Sequence, residues 1–318
     1  MKKLLLLSLA LMLSLSVLMV NAEGSVNVTA MNGPTAMGMV QLMDQNEQGK
    51  IENVSYNFSI VKAIDEVVAG VAKGNIDIAT VPANLASVLY NNTKGKVQVL
   101  AINTLGVLYI AENGTAIQTL ADLKGKTIYA SGKGATPEYA LNYILAKNGL
   151  KDDVTIEWKS EQAEVVAALN ATENAIAMLP QPFATTALIK NASLRVALDM
   201  TKEWEATDSE GVLVTGVVIV NKAFAQENKD VVADFMSRYQ TSVQFANEDV
   251  AGAAKLIGQY GIVPEPVAKK ALPACNIVCI SGEELKPMLT GYLKELFDQN
   301  PKSVGGQLPD DAFFYQAQ

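Results

Sequence analysis

The chain has 318 residues, 25 Lys and Arg against 33 Asp and Glu, a formal charge of −8, and no histidine. This acidic balance disfavours nucleic acid and anionic lipid as partners, since both need a basic face. The missing imidazole removes Ser-His-Asp triads, histidine bases and histidine metal ligands.

Residues 1–22 read as an export signal. Lys2 and Lys3 form a short positive start, Leu4 to Val20 is an apolar run broken only by serines, and Val20-Asn21-Ala22 offers small residues for cleavage after Ala22. An uncleaved anchor is the alternative, because the run approaches membrane-spanning length. No cysteine lies near Ala22 for lipid attachment, so the expected product is periplasmic or secreted. Without Lys2 and Lys3 the balance is 23 basic to 33 acidic residues. About 296 residues remain, enough for two lobes.

Ser25 to Met31 alternates as a first strand, and Asn32-Gly33-Pro34-Thr35 turns it into a helix around Met37 to Met43. Asn53 to Val61 is a second strand, Asp65 an N-cap, Ile76 to Val81 a buried strand, and Pro82-Ala83-Asn84 starts the next helix. Strands alternating with helices imply an α/β fold with parallel pairing. Gln98 to Ala111 is long and apolar, interrupted at Asn103-Thr104 and Gly106, and reads as a crossover between lobes.

A new first strand around Ile128 and Tyr129 ends in Ser131-Gly132-Lys133-Gly134-Ala135-Thr136-Pro137, followed by a helix to about Asn148. Val154 to Trp158 and Arg195 to Asp199 are further strands, and Val212 to Val220, with Thr215-Gly216 in its middle, is expected to return the chain. The remainder is helical over Asp230 to Phe245, Val250 to Tyr260 and beyond a capping-box pattern at Ser281-Gly282-Glu283-Glu284. The tail from Asn300 reads as an irregular strap. The resulting division is 23–105 for the first part of lobe 1, 106–216 for lobe 2, and 217–318 for helices completing lobe 1.

One stretch occurs twice. Glu66 to Tyr90, moved forward 98 positions without a gap, falls on Glu164 to Leu188 with eight of 25 residues identical. The matches include the apolar helix start at Glu66 to Ala69, the strand pair Ile78 and Ala79, and Pro82. Each copy reads helix, strand, proline turn, helix, which suits two similar lobes facing each other rather than a short-repeat solenoid.

In a parallel sheet the loops at the carboxyl ends of strands share one edge, each leading into a helix with unpaired N–H groups. Four such turns, Gly33-Pro34-Thr35, Pro82-Ala83-Asn84, Gly134-Ala135-Thr136 and Pro180-Gln181-Pro182-Phe183, are expected to meet in one cleft around a small ligand. The candidate ligand residues in the first lobe are Gly33, Pro34, Thr35, Asn84 and Asn103. In the second they are Ser131, Gly134, Ala135, Thr136, Gln181, Phe183 and Trp204. Ser131 and Thr136 add hydroxyls, Asn84 and Gln181 read a ligand or merely cap, and Phe183 and Trp204 wall a planar guest or fill the core. Lys133 meets an anion or points to water, and Glu161 and Asp199 face the cleft or cap helices. Cys275 and Cys279, four apart beside a strand and thus roughly 13 Å apart along it, read as two buried thiols, with a bridge second and a metal third. No residue set suggests catalysis, a cofactor or a metal site.

The segments LADLKGKTIYASGKGATPEYALNYILAKNGL, EVVAAL with AIAMLPQPF, and TGVVIVNKAFAQENKDVVADFM resemble the extracytoplasmic solute-binding proteins of ABC importers, in the nitrate/sulfonate/taurine and thiamine-precursor group. The resemblance covers the whole mature chain. It implies a type II periplasmic binding protein fold, two α/β lobes joined by two hinge crossings, placed here at Asn103-Thr104 and Thr215-Gly216. It also implies a monomer that binds a small-molecule ligand, a sulfonate, nitrate-like, carboxylate or pyrimidine type, and delivers it to an ABC permease and its ATPase. The chain departs from the group in being arginine-poor, which leaves the ligand's charge open. It also lacks the histidine and cysteine-rich iron site of the related fungal thiamine-pyrimidine synthase, so binding without chemistry is implied. A bilobal sensor for a membrane partner and a cleft enzyme are the other readings.

Overall fold

The computed structural model describes residues 25–209 and 211–316. The expected signal segment and its cleavage point lie outside the described residues, and among those described no helix is long and apolar enough to cross a membrane.

The chain begins with β1 (Val26–Met31), α1 (Pro34–Met37), α2 (Val40–Glu47), β2 (Tyr56–Val61), α3 (Ile64–Lys73), β3 (Ile78–Pro82), α4 (Ala83–Asn92) and β4 (Val97–Leu105). Its middle holds β5 (Leu108–Glu112), β6 (Thr127–Ser131), α5 (Thr136–Lys147), β7 (Thr155–Lys159), α6 (Gln162–Ala171), β8 (Ile176–Pro180), α7 (Phe183–Lys190), β9 (Arg195–Asp199) and α8 (Met200–Glu205). The remainder adds β10 (Val214–Asn221), α9 (Lys222–Glu227), α10 (Lys229–Glu248), α11 (Val250–Gln259), α12 (Glu265–Ala271), β11 (Ile277–Ile280) and α13 (Leu285–Gln299).

Among the described residues the strands form two sheets, six-stranded in the order β11-β4-β10-β3-β1-β2 and five-stranded in the order β7-β6-β8-β5-β9. Both follow one plan. In each, three parallel strands stand in the order second, first, third, and the strand beyond the third runs antiparallel to it. The repeated stretch explains the match, because α6 and β8 occupy the positions of α3 and β3 moved by the same 98 residues. Val67 and Val71 bury the inner face of α3, and Val165 and Leu169, at the shifted positions, bury that of α6. Residues four apart lie on one side of a helix, so the same pattern gives the same packing. β3 and β8 share one burial sequence as well, four buried residues and then a half-buried proline.

The first sheet is covered on both faces. Val218 and Val220 of β10 point into a core with Phe235, Tyr239 and Val243 of α10, while Val217 and Ile219 point to the opposite core with Leu289 and Leu293 of α13. That second core does not stop at the first sheet: it continues through Tyr292 and Trp204 to Ile110 and Ile128 of the second. The tail crosses α4 as a strap. Ser87 Oγ donates to Val304 O at 2.7 Å, Asn91 Nδ2 donates to Val304 O and Gln307 O at 2.8 Å, and Tyr90 stacks edge-on against Phe313.

Several local expectations are corrected. Ala63, not Asp65, is the N-cap of α3, and no capping box forms before α13, whose N-cap is Glu284. The crossings also lie elsewhere than at Asn103-Thr104 and Thr215-Gly216. Thr104 pairs with Gly216 inside the β4–β10 ladder, and β10 belongs to the first sheet from Val214 onward, so the second lobe does not extend to residue 216. The chain changes sheets at Gly106-Val107 and returns between α8 and β10. Gly216 serves close packing instead: a Cβ there would come within 2.5 Å of the Thr35 methyl carbon and 2.6 Å of Asn103 Oδ1. Gly216→Ala is expected to cost about 1–3 kcal/mol through overpacking, read as a lowered denaturation midpoint with unchanged slope; an unchanged midpoint would show that Thr35 has room to move.

Candidate functional site

The carboxyl ends of the parallel strands lead into turns built by glycine and proline. After β1, Gly33 adopts φ 119°, a conformation open to glycine alone, and Pro34 opens α1. β3 ends at Pro82, and β8 ends at Pro180, from which Gln181 and Pro182 lead into α7. These turns border a cavity of about 380 Å³ between the two sheets. Asn32, Gly33, Pro34, Thr35 and Pro82 line it from one side, Val107 and Pro180 to Phe183 from the other. Ile262 and Val263, between α11 and α12, border it where α12 runs beside α7.

The lining is mostly hydrocarbon. Four proline rings, at Pro34, Pro82, Pro180 and Pro182, face the cavity with Phe183, which is 43% exposed. None of the described lining residues is charged. Most polar side chains there are already engaged: Thr35 Oγ1 donates to Met31 O at 2.8 Å and Thr186 Oγ1 to Pro182 O at 2.9 Å. Gln181 is buried, and its Oε1 accepts from the Thr185 N–H at 3.3 Å and the Thr185 hydroxyl at 2.8 Å. Thr215 Oγ1 is buried without a protein partner.

Gly33, Pro34, Thr35, Gln181 and Phe183 thus come together. Asn103 lies behind them, almost wholly buried, with its Nδ2 donating to Thr35 O at 3.1 Å. The other candidates sit elsewhere. Asn84 donates to Ser303 O of the tail at 3.3 Å. The Gly134 N–H is taken by Glu138 Oε2 at 2.5 Å, and Thr136 Oγ1 accepts from the Tyr292 hydroxyl at 3.1 Å, so the Ser131 to Thr136 turn is occupied by its own helix and by α13. Ser131 is buried and Ala135 is the N-cap of α5, outside the cavity lining. Trp204 has no exposed surface; its Nε1 donates to Gly211 O at 2.7 Å, and its ring lies between Tyr143 and Tyr292. It therefore walls the core, not the cavity.

Lys133 and Glu161 are exposed, and Asp199 caps α8 by accepting from the Thr201 N–H at 3.0 Å. Asn32, Val107, Thr186, Ile262 and Val263 were not singled out from sequence. The one signal for the last two was an apolar pair held between Gly261 and Pro264.

Both arginines are committed to carboxylates away from the cavity. Arg195 pairs with the fully buried Glu112, which also accepts from the Ile117 N–H at 3.1 Å, and Arg238 pairs with Asp234 at 2.8 Å. Among the described residues no group of three or more His, Cys, Asp or Glu is placed to hold a metal. Cys275 and Cys279 are free thiols, the first buried and the second half-buried. Burial disfavours the thiolate, pushing Cys275 up to about 12 and Cys279 up to about 11.

Two outcomes check this electrostatic picture. Arg195→Ala is expected to cost about 3 kcal/mol, because it strands the Glu112 carboxylate in the core; a denaturation midpoint equal to wild type would mean that water reaches Glu112. In the folded protein at pH 8, iodoacetamide is expected to leave Cys275 unmodified and to label it only after unfolding, as read by intact mass and peptide mapping. Rapid labelling of the native protein would contradict the burial of that thiol.

Comparison with known proteins places this geometry. A family model described as NMT1/THI5 like matches residues 66–253. No curated protein matches the sequence. An ABC transporter structure from Parabacteroides distasonis is 24% identical, with 92% of this chain and 99% of that chain covered and a TM-score of 0.78. The periplasmic aliphatic sulphonate binding protein SsuA from Escherichia coli is 18% identical, with 92% of each chain covered and a TM-score of 0.73. The alkanesulfonate-binding SsuA of Xanthomonas axonopodis pv. citri, bound to MOPS, is 18% identical, covers 90% and 94%, and gives a TM-score of 0.63. At these identities the likeness is one of fold: the two sheets form the two-lobed type II periplasmic binding protein fold.

Proposed function

The chain belongs to the NMT1/THI5-like family, and from that premise we propose that it is a solute-binding receptor that captures a small organic solute between its two sheets. It works outside the cytoplasm as a monomer and hands the solute to a membrane permease energised by an ATPase. The observation that carries this reading is the cavity of about 380 Å³ where turns from both sheets meet. A volume of that size suits a small molecule rather than a polymer. On this reading the receptor performs no chemistry on its guest, in keeping with structural neighbours that are binding proteins.

Capture is a closing motion about the two crossings, Gly106-Val107 and the segment between α8 and β10. A guest touching Pro34 on one side and Phe183 on the other makes both contacts only when the sheets are close, and that differential contact favours the closed state. The permease then reads closure. The domain division follows these crossings, with residues before 106 and from β10 onward forming one lobe around the inserted second lobe.

A thermal-shift screen of small solutes tests the reading. A ligand present at a hundred times its dissociation constant is expected to stabilise the protein by about 2.7 kcal/mol, and its complex is expected to be more compact by solution scattering. For the strongest hit, Phe183→Ala should weaken binding by about 1 kcal/mol or more while leaving the unliganded protein's stability nearly unchanged, because the ring is exposed. Lys133→Ala, outside the cavity lining, should bind as wild type. Equal affinities for Phe183→Ala and wild type would place the guest elsewhere.

A further inference from the structure

We infer that the cavity selects an uncharged, apolar-faced solute bearing a hydrogen-bond acceptor, and that the Gln181 carboxamide NH2 is the donor that reads that acceptor. The inference rests on the receptor reading and deepens it.

Gln181 lies in the turn between β8 and α7 with only 5% of its surface exposed, and it lines the cavity. Its amide cannot be turned around. Oε1 receives the Thr185 backbone N–H at 3.3 Å and the Thr185 hydroxyl at 2.8 Å, and a backbone N–H can only donate, so the atom facing it must be the oxygen. Nε2 is therefore the atom left over. No described residue accepts from it. A donor with two hydrogens on a nearly buried side chain, opening onto the cavity with no protein acceptor, gains from an occupant that supplies one, and an occupant that displaces water from it without an acceptor leaves it unpaired.

The charge of the occupant follows from what surrounds it. No described lining residue is ionisable, and both arginines are held by carboxylates elsewhere. The helix starts supply no charge, and part of their hydrogen-bonding capacity is missing: Pro34 and Pro182 carry no N–H, and the Thr185 N–H is already given to Gln181. An anion entering this cavity would lose its hydration against proline rings and Phe183 without gaining a counter-charge. A neutral molecule loses far less and gains the apolar contact. Carbonyl compounds such as amides and lactams, sulfonamides, and rings with a pyridine-type nitrogen meet both requirements; carboxylates, sulfonates and phosphates fail the second.

The test is titration calorimetry on the folded protein with matched pairs, benzamide with benzoate and benzenesulfonamide with benzenesulfonate, extended by thermal shift to a metabolite library arranged in the same neutral and anionic pairs. The neutral member is expected to bind at least tenfold more tightly than its anion. Gln181→Glu keeps an oxygen for Thr185 and replaces the NH2 by a second oxygen, so it should retain the fold, lose about a hundredfold in affinity for the acceptor ligand and shift preference toward donor-bearing solutes. Gln181→Met should lose about tenfold or more without that shift. Tighter binding of the anionic members, or wild-type affinity in both variants, overturns the inference while leaving the receptor reading in place. A library and a native mass spectrum that both show no bound solute would remove the receptor reading itself, and the inference with it.

Discussion

The relation between the two sheets depends on one buried indole. Trp204 sits on α8, in the segment that carries the chain back to the first sheet, and its ring centroid lies 4.2 Å from Tyr143 of α5 and 5.9 Å from Tyr292 of α13. Covering an indole removes roughly 200 Å² from water, worth about 5 kcal/mol. Its one polar atom is also satisfied, by Gly211 O. The apolar core thus runs from one sheet into the other through Trp204 and Tyr292, and the cavity lies apart from it, bordered by Val107 of the crossing, Phe183 and Ile262.

The plan of the two sheets was legible because the same packing problem is solved twice. Val67 and Val165, Val71 and Leu169, Ile78 and Ile176, Pro82 and Pro180 stand at a constant offset and meet equivalent surroundings. What survives is apolar character at the buried positions, with identity at Val67, Ile78 and Ala79 and exchange of Val71 for Leu169. The helix after each strand drifts out of register, α7 beginning two residues late, because the turn Gln181-Pro182 is longer than its counterpart. Glycine was the less faithful guide. Gly216 looked like a pivot and is instead a point of close approach between β10, Thr35 and Asn103.

The site was legible only in part, for a related reason. A turn after a parallel strand can be read from local sequence, and Gly33 to Thr35 and Gln181 to Phe183 do face the cavity. What else packs against a turn is decided far away in the chain. Tyr292, more than a hundred residues downstream, meets Thr136, and the tail carbonyl of Ser303 meets Asn84. Both turns therefore serve the framework, while Ile262 and Val263 come in from between two helices that carry no motif of their own. The aromatic pair divides in the same way: Phe183 is left bare and Trp204 is covered on every side.

The order of strands also sets an order of assembly. β3 and β4 are neighbours in sequence but not in the sheet, since β10 lies between them and pairs with both. During synthesis the first sheet must wait, with those two edges unpaired, until the ribosome has released residue 221. The five strands of the second sheet are complete once residue 199 has emerged, and they form one unbroken segment. Contiguous units close with less loop entropy than interrupted ones, so the inserted half is built to fold first and to bring β10 back to a partner that is only two-thirds made. Unpaired edges are where chains pair wrongly, and the facing edges of β3 and β4 stay unpaired from the emergence of residue 105 until β10 arrives.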